Sequence, residues 1–156
     1  MPRLDAVRGS SLLKNLTEAD LTILNGLFIE KRVKEGAAIF VENMAGESLY
    51  LIQQGTVSIS KMMGEGDEKI LVILGVEEVF GEMALLDGAP RMTNARAAED
   101  ALLLSLARSA FENLCARNPQ LGLTLMRNIV RVFARRLREN DKQFREMLAW
   151  TTTRQT

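Results

Sequence analysis

The chain has 156 residues, twenty basic and twenty acidic side chains, one cysteine and no histidine. That length suits one domain with room for a long helix, and 47% hydrophobic with 26% charged residues sets it apart from disordered chains. Without histidine, the hydrolases that rely on a His base and the His-ligated metal centres are excluded, and the lone Cys115 excludes an internal disulfide or a Cys-based metal site. The apolar run Ile70 to Val76 falls far short of the ~18 residues of a membrane span, and no signal peptide is expected. The expected product is a soluble cytoplasmic protein with no metal, no cofactor, no membrane contact and no enzymatic activity.

Residues 1–10 carry no period and read as a tail. Thr17 followed by Asp20 three positions later is a capping-box-like start for a helix reaching about Phe28, with Leu21, Leu24 and Phe28 inward. From Glu30 to Leu106 the period changes to two, in short β-rich runs punctuated by glycine, the pattern of a sandwich or barrel. The runs are Lys31 to Lys34, Ala37 to Val41, Ser48 to Gln53, Thr56 to Met62, Glu68 to Leu74, Met92 to Ala97 and Ala101 to Leu106. In the fourth, Val57, Ile59 and Lys61 alternate with Thr56, Ser58 and Ser60, which predicts two distinct faces. Gly64-Glu65-Gly66-Asp67 reads as a hairpin loop.

The helical pattern returns at Arg108 to Arg117, with Ser109 as its cap. Asn118-Pro119 then supplies a cap and a first-turn proline for a long helix over 118–150. Within it Met126, Val130, Phe133, Leu137, Asn140, Phe144 and Met147 recur at spacings of 4, 3, 4, 3, 4 and 3, a heptad seam with one polar member, and the expected outcome is self-pairing into a homodimer through a coiled coil. Arg131, Arg135, Arg136 and Arg138 read as a solvated helix face, Cys115 as a small core residue, and the eight methionines as core fillers.

The densest chemistry lies in Phe80-Gly81-Glu82-Met83-Ala84-Leu85-Leu86-Asp87-Gly88-Ala89-Pro90-Arg91. A glycine after a strand allows close backbone approach, and the turn that follows points N–H groups outward, a ready site for an anion. Arg91, ten residues on, offers a guanidinium that can grip two oxygens of that anion. Glu82 beside an anion makes sense if it accepts from a hydroxyl, as a carboxylate does from a ribose, or pairs with a cation.

This run resembles the phosphate-binding cassette of the cyclic nucleotide-binding domain family, the sensor domain of catabolite-activator-type regulators and of the regulatory subunits of cAMP-dependent kinases. Further matching segments fall in order: Lys34-Glu35-Gly36, Ile39-Phe40, Glu42-Asn43, Gly46 to Ile52 and Gln54 to Val57. Together they extend the resemblance from Leu12 to Leu137. It implies an α+β fold over 11–137, an antiparallel β jelly-roll of about eight strands with a short N-terminal helix, a hinge helix and the long C-terminal helix, followed by a tail at 151–156. Gly81, Met83 and Ala84 would then line the phosphate, Glu82 would take the ribose 2′-hydroxyl, and Arg91 would hold the cyclic phosphate. Val72, Leu74 and Phe80 would wall the base or sugar. The pattern departs from the family at Met92, where Ala, Ser or Thr is common, at Thr93, where Ala is usual, and at Asn94. A Met without a donor counts against cGMP and leaves cAMP as the favoured ligand. The base would be capped from the long helix by Asn140 and Asp141 on one alignment, or by Arg136 on another. The function implied is a regulatory sensor relaying ligand occupancy to an unidentified protein partner, with no DNA binding by this chain alone. The alternative is a dimer scaffold or protein-interaction module with a vestigial pocket.

Overall fold

The computed structural model describes residues 3–64 and 66–154, with all side chains among them except those of 143, 144 and 146–154. Eight antiparallel strands form two four-stranded sheets, and helices flank one of them. β1 (Ile29–Val33), β8 (Ala101–Ala107), β3 (Ser48–Gln54) and β6 (Val79–Phe80) make one sheet in that order. β2 (Ala38–Phe40), β7 (Asn94–Ala97), β4 (Val57–Met63) and β5 (Asp67–Leu74) make the other, so the α+β jelly-roll implied by the resemblance is the fold of the chain.

β3 and β8 lie inside the first sheet with both faces covered, which is why they read as nearly continuous apolar runs. One face of each, with Tyr50, Ile52 and Leu103, packs into the inter-sheet core around Phe40, Val57, Leu74 and Phe80. The other, with Leu49, Leu51, Leu104 and Leu106, packs under the helices against Leu24, Phe28, Phe111, Leu121 and Leu125. Each helix closes against this second core. α1 (Glu18–Asn25) opens with the expected reciprocal cap between Thr17 and Asp20 but ends before Phe28, which is buried just beyond it. α3 (Arg108–Arg117) begins after Ala107 with no side-chain cap, so Ser109 lies inside the helix instead of capping it. α4 (Pro119–Arg154) starts where expected, with Leu121 N–H donating to Asn118 Oδ1 at 3.2 Å, and runs past residue 150.

Three further sequence readings change. Residues 3–7 are a 3₁₀ turn whose Leu4 and Val7 are fully buried, so the opening ten residues contribute to the core. β6, only two residues long, had escaped the period-two pattern because so short a run carries no period. In β4 the alternation breaks at a register shift between Ile59 and Ser60, which turns Ser60 inward to 1% exposure and leaves Lys61 outside. Buried Ser60 then donates from its hydroxyl to Glu68, which Arg96 also contacts at 3.4 Å.

Candidate functional site

Phe80 ends β6, and Gly81 follows it at φ +74°, a left-handed conformation in which a Cβ would stand 2.8 Å from Arg91 Nη1 and 3.1 Å from Ser48 O. This geometry selects glycine. Glu82 begins the turn of α2 (Met83–Asp87), which Gly88 terminates at φ +65°. Ala84 N–H closes the turn onto Gly81 O at 3.3 Å, so the amide expected to face a phosphate is engaged within the cassette. The chain then returns beside the β2–β3 loop, with Arg91 N–H donating to Met44 O at 2.8 Å and Asn43 N–H donating to Arg91 O at 2.9 Å.

These backbone ties deliver the Arg91 side chain to the inside of the sandwich, where the residue is only 8% exposed. Its Nη1 donates to Gly81 O at 3.2 Å and its Nη2 to Ser48 O at 2.7 Å. The guanidinium carbon lies 4.0 Å from the centre of the Phe40 ring and 6.0 Å from that of Tyr50, an arrangement favoured by the negative face of an aromatic ring. Tyr50 stacks in turn on Phe80 at 5.1 Å. Burial pushes the Arg91 pKa down, while Tyr50 and Glu82 pull it back. Nε is buried without an acceptor. An orphaned buried donor on a cation is a costly arrangement that an anion at the cassette would relieve.

Glu82, 7% exposed, is the second charge of the site. Arg136 reaches it from α4: Nη1 lies 3.0 Å from Glu82 Oε1, and Nη2 donates to Val79 O. One guanidinium therefore joins the long helix to the cassette carboxylate and to the strand that precedes it. Cassette, β5 and α4 together enclose a cavity of about 920 Å³.

Every cassette residue singled out from the sequence lines this cavity: Phe80, Gly81, Glu82, Met83, Ala84, Arg91, Met92 and Thr93. So do Val72 and Leu74 on β5, although Val72 is 46% exposed. Of the three residues proposed on the long helix, Arg136 contacts Glu82 and Asn140 lines the cavity. Asp141 lies outside the lining, where it pairs with Arg145 at 3.1 Å. Arg136 accordingly leaves the solvated face to which it had been assigned with Arg131, Arg135 and Arg138.

On the seam, Val130, Phe133 and Leu137 stand exposed, whereas Met126 packs partly against the helical core; the side chains of Phe144 and Met147 lie outside those described. The methionines depart most from expectation: Met44, Met62, Met63, Met83 and Met92 are exposed. Phe40, Tyr50 and the Ser48 carbonyl, which seat Arg91, had not been predicted as site residues. Among the described residues no group of three or more His, Cys, Asp or Glu side chains could hold a metal ion, and no helix is long and apolar enough to cross a membrane.

Comparison with known proteins places these features. The model of the cyclic nucleotide-binding domain matches residues 30–118, more than half of the chain. The cyclic AMP receptor protein of Thermus thermophilus is 35% identical over 135 residues, covering 86% of this chain and 61% of that protein. The crystal structure of the Thermus thermophilus catabolite activator protein superposes with a TM-score of 0.78 at 33% identity, covering 88% of this chain and 63% of that one. The cAMP-dependent protein kinase regulatory subunit of Colletotrichum orbiculare is 32% identical over 110 residues, 70% of this chain and 27% of that protein. The chain thus spans less than two thirds of the length of these relatives.

Proposed function

This chain belongs to the cyclic nucleotide-binding domain family, and on that footing we propose that it is a regulatory sensor for a cyclic mononucleotide, cAMP in preference to cGMP. The observation that carries the proposal is Arg91: a buried cation fixed by two carbonyls and an aromatic face, with Nε lacking an acceptor, beside a left-handed glycine in a cavity. A cyclic phosphate carries the charge and the acceptor atoms that such a group lacks. Glu82 would receive the ribose 2′-hydroxyl, since one of its oxygens faces Arg136 and a carboxylate has lone pairs beyond those used there. Val72 and Leu74 offer apolar contact to the base, and Asn140 a side chain that both donates and accepts. Met92 has no donor with which to select a guanine.

The Arg136 contact supports a relay. Ligand engaging Glu82 acts on the group that ties α4 to the cassette, so occupancy and helix position are coupled if ligand prefers one arrangement of the pair. Val130, Phe133 and Leu137, exposed in a row along α4, support dimerisation through that helix. All three roles of the chain are non-catalytic: binding, coupling and pairing.

Calorimetric titration with cAMP and cGMP, on the wild type and on Arg91→Ala, tests the reading. Heat with cAMP that disappears in Arg91→Ala supports it. No heat with either nucleotide overturns the ligand and leaves a dimer scaffold.

A further inference from the structure

Six cations form a row along one side of α4: Arg127, Arg131, Arg135, Arg138, Lys142 and Arg145, at spacings of 4, 4, 3, 4 and 3, and all six are exposed. At about 100° per residue they fall within an arc of about 80°, and at 1.5 Å per residue they span about 27 Å. No acidic residue occupies that arc over the same length; the nearest on either side, Asp141 and Glu139, lie off it. Apart from Arg135, which borders the cavity, the ridge is turned away from both other faces of the helix. Leu121, Leu125, Ile129 and Val132 pack on the domain, and Val130, Phe133 and Leu137 form the separate apolar stripe.

Neither the fold nor the cassette calls for this arrangement. Like charges three and four residues apart destabilise a helix, and a solvated helix face ordinarily intersperses Glu with Arg and Lys. Among the described residues only Arg145 of the six has a carboxylate in ion-pair range, Asp141 at 3.1 Å. Arg131 and Arg135 turn to neutral oxygens, Asn128 Oδ1 and Ser11 Oγ, both at 3.3 Å.

We infer that the ridge is the docking face for an acidic helix of a partner protein. Charge complementarity sets the sign, and the spacing selects the form. A helix bearing Glu or Asp at the same alternation of three and four residues rises by the same 1.5 Å per residue, so it stays in register along the whole ridge. Phosphates of a duplex strand advance by about 3.4 Å each along a curving groove and lose a straight ridge after a few contacts. The inference goes beyond nucleotide sensing: it names the chemistry of a partner, and it stands whether or not a nucleotide binds.

The test uses three labelled probes against the whole chain without nucleotide, at low salt, followed by fluorescence anisotropy. They are an alanine-based helical peptide with six Glu at the ridge spacing, a peptide of the same composition with the Glu shuffled, and a duplex DNA of equal length. The matched peptide is expected to bind roughly tenfold tighter than the shuffled one. Arg127→Glu with Arg138→Glu should weaken it by roughly tenfold more, the size expected when two exposed attractions become repulsions, with the two Gln replacements falling between. Neither residue lines the cavity, so the cAMP titration of both double variants should match that of the wild type, and their melting curves by circular dichroism should certify the fold independently of nucleotide. Equal binding of matched and shuffled peptides, tighter binding of the duplex, or no binding of the matched peptide each overturns the inference. A chain that binds no nucleotide but discriminates the peptides retains it.

Discussion

Gly81→Ala separates the two demands made on the cassette glycine. The residue has φ +74°, and an added Cβ would stand 2.8 Å from Arg91 Nη1, 3.1 Å from Ser48 O and 3.5 Å from Tyr50 Cδ2. Gly36 has nearly the same backbone conformation, φ +83°, but nothing within 4 Å of the corresponding point. Ala at either position incurs the left-handed strain of about 1–2 kcal/mol. Only at Gly81 must neighbours also give way, and neither yields readily: Ser48 O is backbone, and the Arg91 head is held by two carbonyls. Overpacking of that kind costs about 1–3 kcal/mol more. The Gly81 variant should therefore melt roughly 2–12 °C below the Gly36 variant, using the 2–4 °C per kcal/mol typical of a domain this size. Displacement of Arg91 should also weaken cAMP by roughly 10- to 100-fold, the equivalent of one charged hydrogen bond of about 1.5–3 kcal/mol. Gly36→Ala should leave the affinity unchanged. Melting followed by circular dichroism and a calorimetric titration read both effects. Coincident melting curves for the two variants, or equal nucleotide affinity, would refute the close approach as the reason for glycine at position 81.

Arg136→Ala should destabilise the chain by roughly 2–3 kcal/mol in urea titration. It strands a buried carboxylate, and the cost falls below the 3–5 kcal/mol of a fully buried pair because a quarter of the Arg136 side chain is exposed. In the same variant, amide exchange around residues 133–138 should no longer respond to nucleotide. Asn128→Leu removes two donors from the carbonyls of Leu12 and Lys14, at 2.7 and 2.9 Å, and should cost about 2–3 kcal/mol while speeding exchange of the Leu13 and Lys14 amides. In acid, Asp100 and Glu68 should report on pH. The Glu35 N–H and then Lys34 hold Asp100 below its ordinary 3.8, and the Ser60 hydroxyl, with Arg96, holds Glu68 below 4.5. A folded-state value below the unfolded one means that the unfolded chain binds more protons in that window. The contribution is therefore complete above the ordinary values and is lost as pH falls through the depressed ones. Asp100→Asn should flatten the fall of Tm below about pH 4, and an unchanged slope would remove Asp100 from the account.

Local chemistry was legible in the residues, and what long-range pairing assembles was not. The Thr17–Asp20 cap, the Asn118-Pro119 helix start and the glycine-bounded cassette each depend on neighbours within a few positions, and each stands where the sequence placed it. The seat of Arg91 does not. Phe40 and Ser48 lie 51 and 43 residues away in the chain and reach the guanidinium only because β2 and β3 belong to opposite sheets of the sandwich. No periodicity announces such a meeting. Exposure of Met44, Met83 and Met92 around the cassette was hidden for the same reason, since an apolar residue in a loop or a single turn carries no sign of which side the fold will cover.

The long helix shows how one structural fact orders residues that counting left equivalent. Alignment alone allowed Arg136, Asn140 or Asp141 to face the ligand. The buried series Leu121, Leu125, Ile129 and Val132 fixes which side of α4 lies on the domain. Steps of four along that side lead from Val132 to Arg136 and on to Asn140, whereas Asp141 is turned a further ~100° away. The observed contacts follow this order: Arg136 on Glu82, Asn140 in the cavity lining, Asp141 outside it and paired with Arg145. Arg136 thus stands one turn beyond Val132, the last buried residue described on the helix. In the proposed relay, a change at Glu82 would act on α4 through this contact, and the buried turns before Arg136 would carry it to the helix as a unit.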